Sequence, residues 1–348
     1  MDRQGQGHRG GRGGTRYYAT ARGVNDPSGS IEREDWPVTG FRCSLRRNTV
    51  PKLEAEIYLH FCCVTYFRCK VSKRATLGNI IKRKRMIRTR VTVIALSQAV
   101  ERRAQFCAAA KDAVVEWNFF TAYTEASLPL SYDTRLAVQQ FGRPLSSGEI
   151  GCYTSHYKAW QSLVDSNDDQ IIVFEDDVLV DWAIINRAAE CNFSKLNIDI
   201  LRLFATHTFP FDIAIHRFTP NSHLLRNKGL LLGTQGYLLT RRGAEALLST
   251  GTIIATPVDW VMSRYWEYNV PNYCLFPFPI IHRHAPSTIG SSIREAGHQA
   301  TTLDRAARLY WRIKNRIIRE YMNLVVLKKH PFGQTVDVGE AYIDKVVT

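Results

Sequence analysis

The sequence has no C-x-x-C pair, and its longest apolar stretch near the N-terminus, residues 57–67, falls far short of a membrane span and lacks a small-residue cleavage site. Zinc-ribbon and dithiol-redox chemistry are therefore not expected, nor is a secretory signal or a spanning helix. The eight cysteines are spread out: Cys43, Cys62, Cys63 and Cys69 lie in a basic segment, while Cys107, Cys152, Cys191 and Cys274 stand singly. Lone thiols in a chain of this size read as reduced, small hydrophobes of a cytoplasmic protein, and they suggest no metal site.

Acidic charge is also scarce, but only at the two ends. Of the formal net charge of +14, residues 1–90 carry 20 basic against 7 acidic side chains, and residues 304–329 carry 8 against 2. The stretch between them sits near −3, so the excess positive charge does not belong to the central body. Residues 1–40 are rich in Gly and Arg and cannot bury enough apolar area to offset ordering entropy, so residues 1–85 read as a basic, largely disordered extension. The short Arg-Gly tract at residues 9–14 is compatible with an RNA-binding tail, but nucleic acid is not expected as a partner. Regular patterning begins at Met86, which also suggests translation starting there; a natively expressed peptide from residues 1–80 would exclude that start.

With 45% hydrophobic residues the body can bury a large core. Its centre is Ile171-Ile172-Val173-Phe174-Glu175-Asp176-Asp177-Val178. An unbroken β-branched and aromatic run reads as a strand covered on both faces, and three carboxylates follow it at once. Ligands of open α/β sheets sit beyond the carboxyl ends of strands, and clustered carboxylate oxygens suit a hard divalent ion such as Mg or Mn beside phosphate. The plainer alternative is an acidic loop that caps the following helix.

Around that strand the pattern alternates. Residues 91–96 read as an opening strand and residues 99–110 as a helix bearing Glu101, Arg102 and Arg103; the two arginines are placed to meet phosphates or to form a solvated face. Residues 114–120 give a second strand. Ser146 and Glu149 form a capping-box signature, followed at helical spacing by Ile150, Tyr153, Tyr157, Trp160 and Val164. Glu149 and His156 share a face of this helix. Residues 199–204 read as a strand, residues 205–229 as a polar excursion bordering an acceptor site, residues 230–239 as strand material broken by Gly233 and Gly236, and residues 241–249 as a helix. Those glycines mark either close approach of a ligand or a bulge. Pro257 opens another helix, making Asp259 a helix-start acid or a catalytic base. His282 and His284 follow a further apolar run and read as metal ligands or, preferably, as structural side chains. Residues 303–329 form a basic amphipathic helix that could lie on an anionic membrane or pack as an ordinary terminal helix.

Leu145-x-x-Gly148-Glu149-Ile150-Gly151-Cys152-x-x-Ser155-His156, the strand ending Phe174-Glu175-Asp176-Asp177-Val178, Asp199 to Leu203, Gly233 to Leu239 with Arg242-Gly243-Ala244, and Pro257-Val258-Asp259 together resemble glycosyltransferase family 25, the lipooligosaccharide galactosyltransferase-like enzymes. The resemblance covers residues 91–285. It implies a GT-A-like nucleotide-diphospho-sugar fold, an α/β architecture with a mostly parallel sheet flanked by helices. It further implies transfer of galactose from UDP-galactose to a lipooligosaccharide or other glycan, assisted by Mn or Mg. The domain is expected over residues 86–300, the basic helix over 301–330 and a tail over 331–348.

The implied metal ligands are Asp177 and Glu175; Glu175, Asp176, Arg102, Arg103, Ser155 and His156 are placed at the nucleotide. Asp259 is the favoured base and Glu149 the second. The opening strand departs from the family pattern, reading Ala95-Leu96-Ser97-Gln98 where Asn-Leu-Asp-Arg is usual. That departure keeps open a scaffold that retains the fold without activity, and the basic N-terminus keeps open a nucleic-acid-binding protein. The expected location is cytoplasmic, peripheral to the inner face of the membrane.

Overall fold

The computed structural model describes residues 86–283, 300–327 and 342–343, all within one compact unit spanning residues 80–348. Expectations for residues 1–85, for His284, Lys328 and Lys329, and for nearly all of the tail fall outside the described residues.

The β-rich run at the start forms β1, Thr89–Ala95, and leads to α1, Val100–Ala109. Then come β2, Trp117–Thr121; β3, Ser131–Tyr132; α2, Thr134–Gln140; and α3, Ser147–Val164. The central run forms β4, Gln170–Glu175, followed by β5, Val178–Val180, and α4, Trp182–Glu190. Beyond it lie β6, Ile200–Arg202; β7, Phe211–Thr219; β8, Ser222–Asn227; β9, Gly236–Thr240; and α5, Arg241–Leu248. The described chain continues through β10, Ile253–Ile254; α6, Val258–Ser263; α7, Tyr265–Tyr268; β11, Asn272–Phe276; β12, Ile280–His282; and α8, Thr302–Tyr321.

Eight strands form one mixed sheet in the order β2-β1-β4-β9-β6-β11-β8-β7. β1 pairs in parallel with both β2 and β4, and β11 in parallel with β6, whereas β9 and β8 run against their neighbours. Most strands thus point the same way, and the carboxylate-bearing β4 lies inside the sheet. Its side chains alternate between two cores. Ile172 and Phe174 face one with Phe106 and Trp182, while Ile171 and Val173 face the other with Tyr153 and Trp160. Burial on both faces is why the strand is continuously apolar.

Several expectations change in register. Residues 205–229 are not a polar excursion: β7 and β8 form an antiparallel hairpin that extends the sheet, turned at Pro220-Asn221. Register shifts between Ile213 and Ile215 and between Ile215 and Thr219 break the alternation that would have marked the strand. The run over residues 230–239 is strand only from Gly236. Before it, Leu231 exchanges hydrogen bonds with the Ser263 hydroxyl, and Gly233 takes a φ of 99° that other residues avoid. Gly236 has a packing reason, since a Cβ there would lie 2.0 Å from Ile280 Cδ1 and 3.2 Å from a Phe174 ring carbon. Pro277 and Pro279 divide the apolar run after Tyr273 into β11 and β12.

Candidate active site

The capping box forms as the sequence suggests. The Ser146 hydroxyl accepts from the Glu149 amide, and the Glu149 carboxylate accepts from the Ser146 amide. α3 then carries Cys152, Ser155 and His156 on one face toward the end of β4. Here a cleft of about 430 Å³ is lined by residues from β1, α1, α3, the carboxylate turn and β12, including Arg102, Cys152, His156, Glu175, Asp176, Asp177, Gln235 and His282. It lies where ligands of α/β sheets are held.

Hydrogen bonds orient His156 toward Glu175. Trp160 Nε1 is a donor only, and it donates to Tyr237 Oη at 2.9 Å. The Tyr237 hydroxyl is 2.8 Å from His156 Nδ1 and can donate to it. That leaves the Nε2 proton of His156 pointing at Glu175 Oε1, 3.5 Å away. Thr234 Oγ1 donates to the same oxygen at 2.5 Å. Burial pushes the Glu175 carboxyl up, but the His156 contact and the Thr234 hydroxyl outweigh it and hold the acid below its ordinary range.

The next two acids behave in the opposite way. Burial, with the neighbouring carboxylates adding to it, raises Asp176 to about 6 even though Arg102 Nε lies 3.4 Å from its Oδ2. Asp177 is raised by burial and by Glu175, against the pull of His282, whose Nε2 is 3.2 Å from Asp177 Oδ2. This last pairing is made by a two-stranded ladder in which Val178 of β5 stands opposite His282 of β12. Asp176 Oδ2, Asp177 Oδ1 and Gln235 Oε1 are buried acceptors with no hydrogen-bond donor among the described residues. Unsatisfied acceptor oxygens on adjacent carboxylates fit a hard divalent cation, held by Asp177, Asp176 or Glu175 and His282.

A second grouping shares one of these residues. One ligand atom each from Cys152, His156 and Glu175 lie within 4.8 Å of one another. The Cys152 thiol is pushed well up by burial and then by the charges of Glu175 and Asp259, so it is a poor thiolate ligand as it stands. Cys152 and His156 are four residues apart on one helix, which is the signal that would have found this pair in the sequence.

Other expected residues are placed differently. Ser155 lines the cleft, but its hydroxyl donates to the Gly151 carbonyl and accepts from the Tyr123 amide. The Arg103 guanidinium packs over the Phe119 ring, 4.3 Å from its centroid, rather than lining the cleft with Arg102. Glu149 also stands outside the lining. Its two oxygens are taken by Arg143 at 2.7 and 2.9 Å and by Ser146, contacts that outweigh burial and keep its carboxyl low. Asp259 likewise stands outside the lining, where its Oδ2 accepts from the Gly233 amide at 3.1 Å, and burial raises its carboxyl. The buried Arg202 donates to the Gly233 carbonyl and sits close enough to offset part of that rise.

The family model for "Glycosyltransferase family 25 (LPS biosynthesis protein)" matches residues 88–262. The chain belongs to glycosyltransferase family 25. The matched span contains the first cleft except for His282, and its mixed, mostly parallel sheet flanked by helices is GT-A-like. Among similar proteins, the "probable inactive glycosyltransferase 25 family member 3" of Bos taurus is 34% identical over 113 residues, 31% of this chain and 18% of that protein. Procollagen galactosyltransferase 1 of Danio rerio is 31% identical over 114 residues, with the same coverage of 31% and 18%. The lacto-N-neotetraose biosynthesis glycosyltransferase LgtE of Neisseria meningitidis serogroup B is 28% identical over 203 residues, 53% of this chain and 71% of that protein. The chain thus spans about a fifth of the first two and most of the third.

Proposed function

We propose that the chain is a glycosyltransferase that moves galactose from UDP-galactose to a lipooligosaccharide or other glycan acceptor with the help of Mn or Mg. The observation that carries this reading is the pair of buried oxygens, Asp176 Oδ2 and Asp177 Oδ1, that no hydrogen bond satisfies, in a nucleotide-sized cleft where Arg102 Nε stands 3.4 Å from the first of them. The donor sugar is taken from the similar proteins named as galactosyltransferases.

Departure of the nucleotide leaves negative charge on its outer phosphate oxygen. A divalent cation supplies Lewis-acid stabilisation of that charge. Asp177 with His282 would hold it, Glu175 would complete the set, and Arg102 would face the phosphates. Glu175 is kept anionic and fixed in direction by His156 and Thr234, so its charge is in place before the donor arrives. An acceptor hydroxyl must lose a proton as it attacks, and Asp259, whose carboxyl is raised by burial, is the assigned base. The exposed apolar side chains of α8, among them Leu309, Ile313 and Ile317, support a peripheral position on the inner face of the membrane.

Titration of UDP into the full chain with and without Mn tests this reading, with Asp177→Ala alongside. Binding that requires both Mn and Asp177 is expected; binding indifferent to both overturns the donor site. One observation favours a second reading, a scaffold without transfer activity: of Ala95-Leu96-Ser97-Gln98, only the apolar Ala95 and Leu96 line the cleft. UDP binding without any donor hydrolysis or transfer would select it.

A further inference from the structure

A second cavity, of about 410 Å³, lies between α6, α7 and α8 and shares no lining residue with the first. Three of the seven tryptophans of the chain, Trp260, Trp266 and Trp311, form its apolar part. Five guanidinium groups surround them, from Arg264, Arg308, Arg312, Arg316 and Arg319. The sequence explains the arrangement: Arg308, Arg312 and Arg316 recur every four residues on α8, so they form one row beside Trp311. The tryptophans are held firmly. Trp266 Nε1 donates to Asn315 at 2.6 Å, Trp260 packs edge-on against Phe141, and Trp260 and Trp311 lie nearly parallel, 24° apart with centroids at 6.5 Å.

Charge does not balance in this cavity. Glu267 pairs with Arg264 and Glu320 with Arg319. Arg308, Arg312 and Arg316 meet no carboxylate among the described residues, and the Arg308 guanidinium is packed against Gly142, where any Cβ would displace it. All three are exposed, so water screens their mutual repulsion, and an anion in the hollow would meet all of them. Guanidinium forks suit planar carboxylate and phosphate oxygens, and indole faces suit the C–H faces of a sugar ring. At 6.5 Å between centroids the Trp260 and Trp311 rings leave too little room for a flat base, which needs about 7 Å for contact on both sides. The cavity volume falls within the range of roughly 300–1,000 Å³ usual for small-ligand sites.

We infer that this cavity is a second binding site, for a saccharide carrying a carboxylate or phosphate. The anionic group is taken by Arg312 and Arg316 with Arg308 beside them, and the sugar ring packs against the indole edges of Trp260 and Trp311 that line the cavity, since the gap between the two rings admits neither a base nor a pyranose. On α6 the two neighbours part: Asp259 accepts from the Gly233 amide while the next residue, Trp260, lines the second cavity. The site holds glycan without entering the donor chemistry, and it stands whether or not the Asp177 cleft binds UDP.

The test is titration of the full chain, without nucleotide, with 3′-sialyllactose, mannose 6-phosphate, lactose and inorganic phosphate. Saturable binding of at least one of the two anionic saccharides is expected, about tenfold tighter than lactose or phosphate. Arg312→Gln with Arg316→Gln should weaken it about tenfold or more, as should Trp311→Ala, while Asp177→Ala leaves it unchanged. The two arginines are exposed, so their double variant keeps the test valid if Trp311→Ala does not fold. The inference is overturned if neither anionic saccharide binds, if phosphate alone binds as well as they do, or if binding survives loss of Arg312 and Arg316. It is also overturned if only phosphatidylglycerol vesicles bind through those arginines, which would assign the surface to membrane instead.

Discussion

His282 Nε2 lies 3.2 Å from Asp177 Oδ2, although 105 residues separate them. The β5–β12 ladder makes this contact part of the backbone architecture rather than a chance meeting of side chains. His282→Ala should therefore weaken Mn-dependent UDP binding by roughly 10–100-fold, as loss of a group that holds or orients a metal ligand does. Circular dichroism and a UDP titration with Mn check this; unchanged affinity in a folded variant would remove His282 from the site.

Tyr237→Phe removes one oxygen that serves two buried partners. Trp160 Nε1 loses its acceptor and His156 Nδ1 its donor, so a stability loss of about 1–3 kcal/mol is expected, read by thermal or urea unfolding. His156 is then free to take the other tautomer, and UDP affinity should fall as the imidazole proton is no longer aimed at Glu175. Wild-type stability would show that water replaces the hydroxyl.

Glu149 offers a stability prediction with a definite pH dependence. Although burial opposes it, Arg143 and Ser146 hold the folded carboxyl below its ordinary value, so its contribution is present above about pH 4.5 and is lost as pH falls through the lower folded value. Glu149→Gln should destabilise the protein at pH 7 by about 1 kcal/mol and matter progressively less toward pH 3. Donor hydrolysis measured on the same variant decides its chemistry: full activity leaves Asp259 as the base, and complete loss would restore Glu149.

Gly236→Ala places a methyl group 2.0 Å from Ile280 Cδ1. Overpacking of this kind costs about 1–3 kcal/mol, and Ile280→Val, which deletes the clashing methyl, should recover most of it in the double variant. Equal destabilisation with and without Ile280→Val would place the strain elsewhere, at Phe174.

What could be read from the sequence was what is encoded locally. The β4 run, the Ser146–Glu149 cap and the helix that follows depend on neighbours a few residues apart, and the structure contains each of them. The acids at the end of β4 were legible because three carboxylates together are costly. The partners that organise them were not: His156 meets Tyr237 across 81 residues and Asp177 meets His282 across 105, and only the sheet order makes those distances short. The β7–β8 hairpin was hidden by its bulges, and Arg103 was separated from Arg102 by the ordinary 100° turn of a helix, which sends consecutive side chains to different surroundings.

The ladder between β5 and β12 also bears on where the chain can be cut. The span that identifies the family ends at residue 262, twenty residues before His282. A fragment trimmed to that span would keep all three acids of the turn yet lose the strand that clamps it, leaving Asp177 without its nearest basic neighbour. Such a fragment would be recognisable as a member of the family yet would lack His282, one of the residues proposed to hold the cation, so the piece that tests the proposal is longer than the recognisable one.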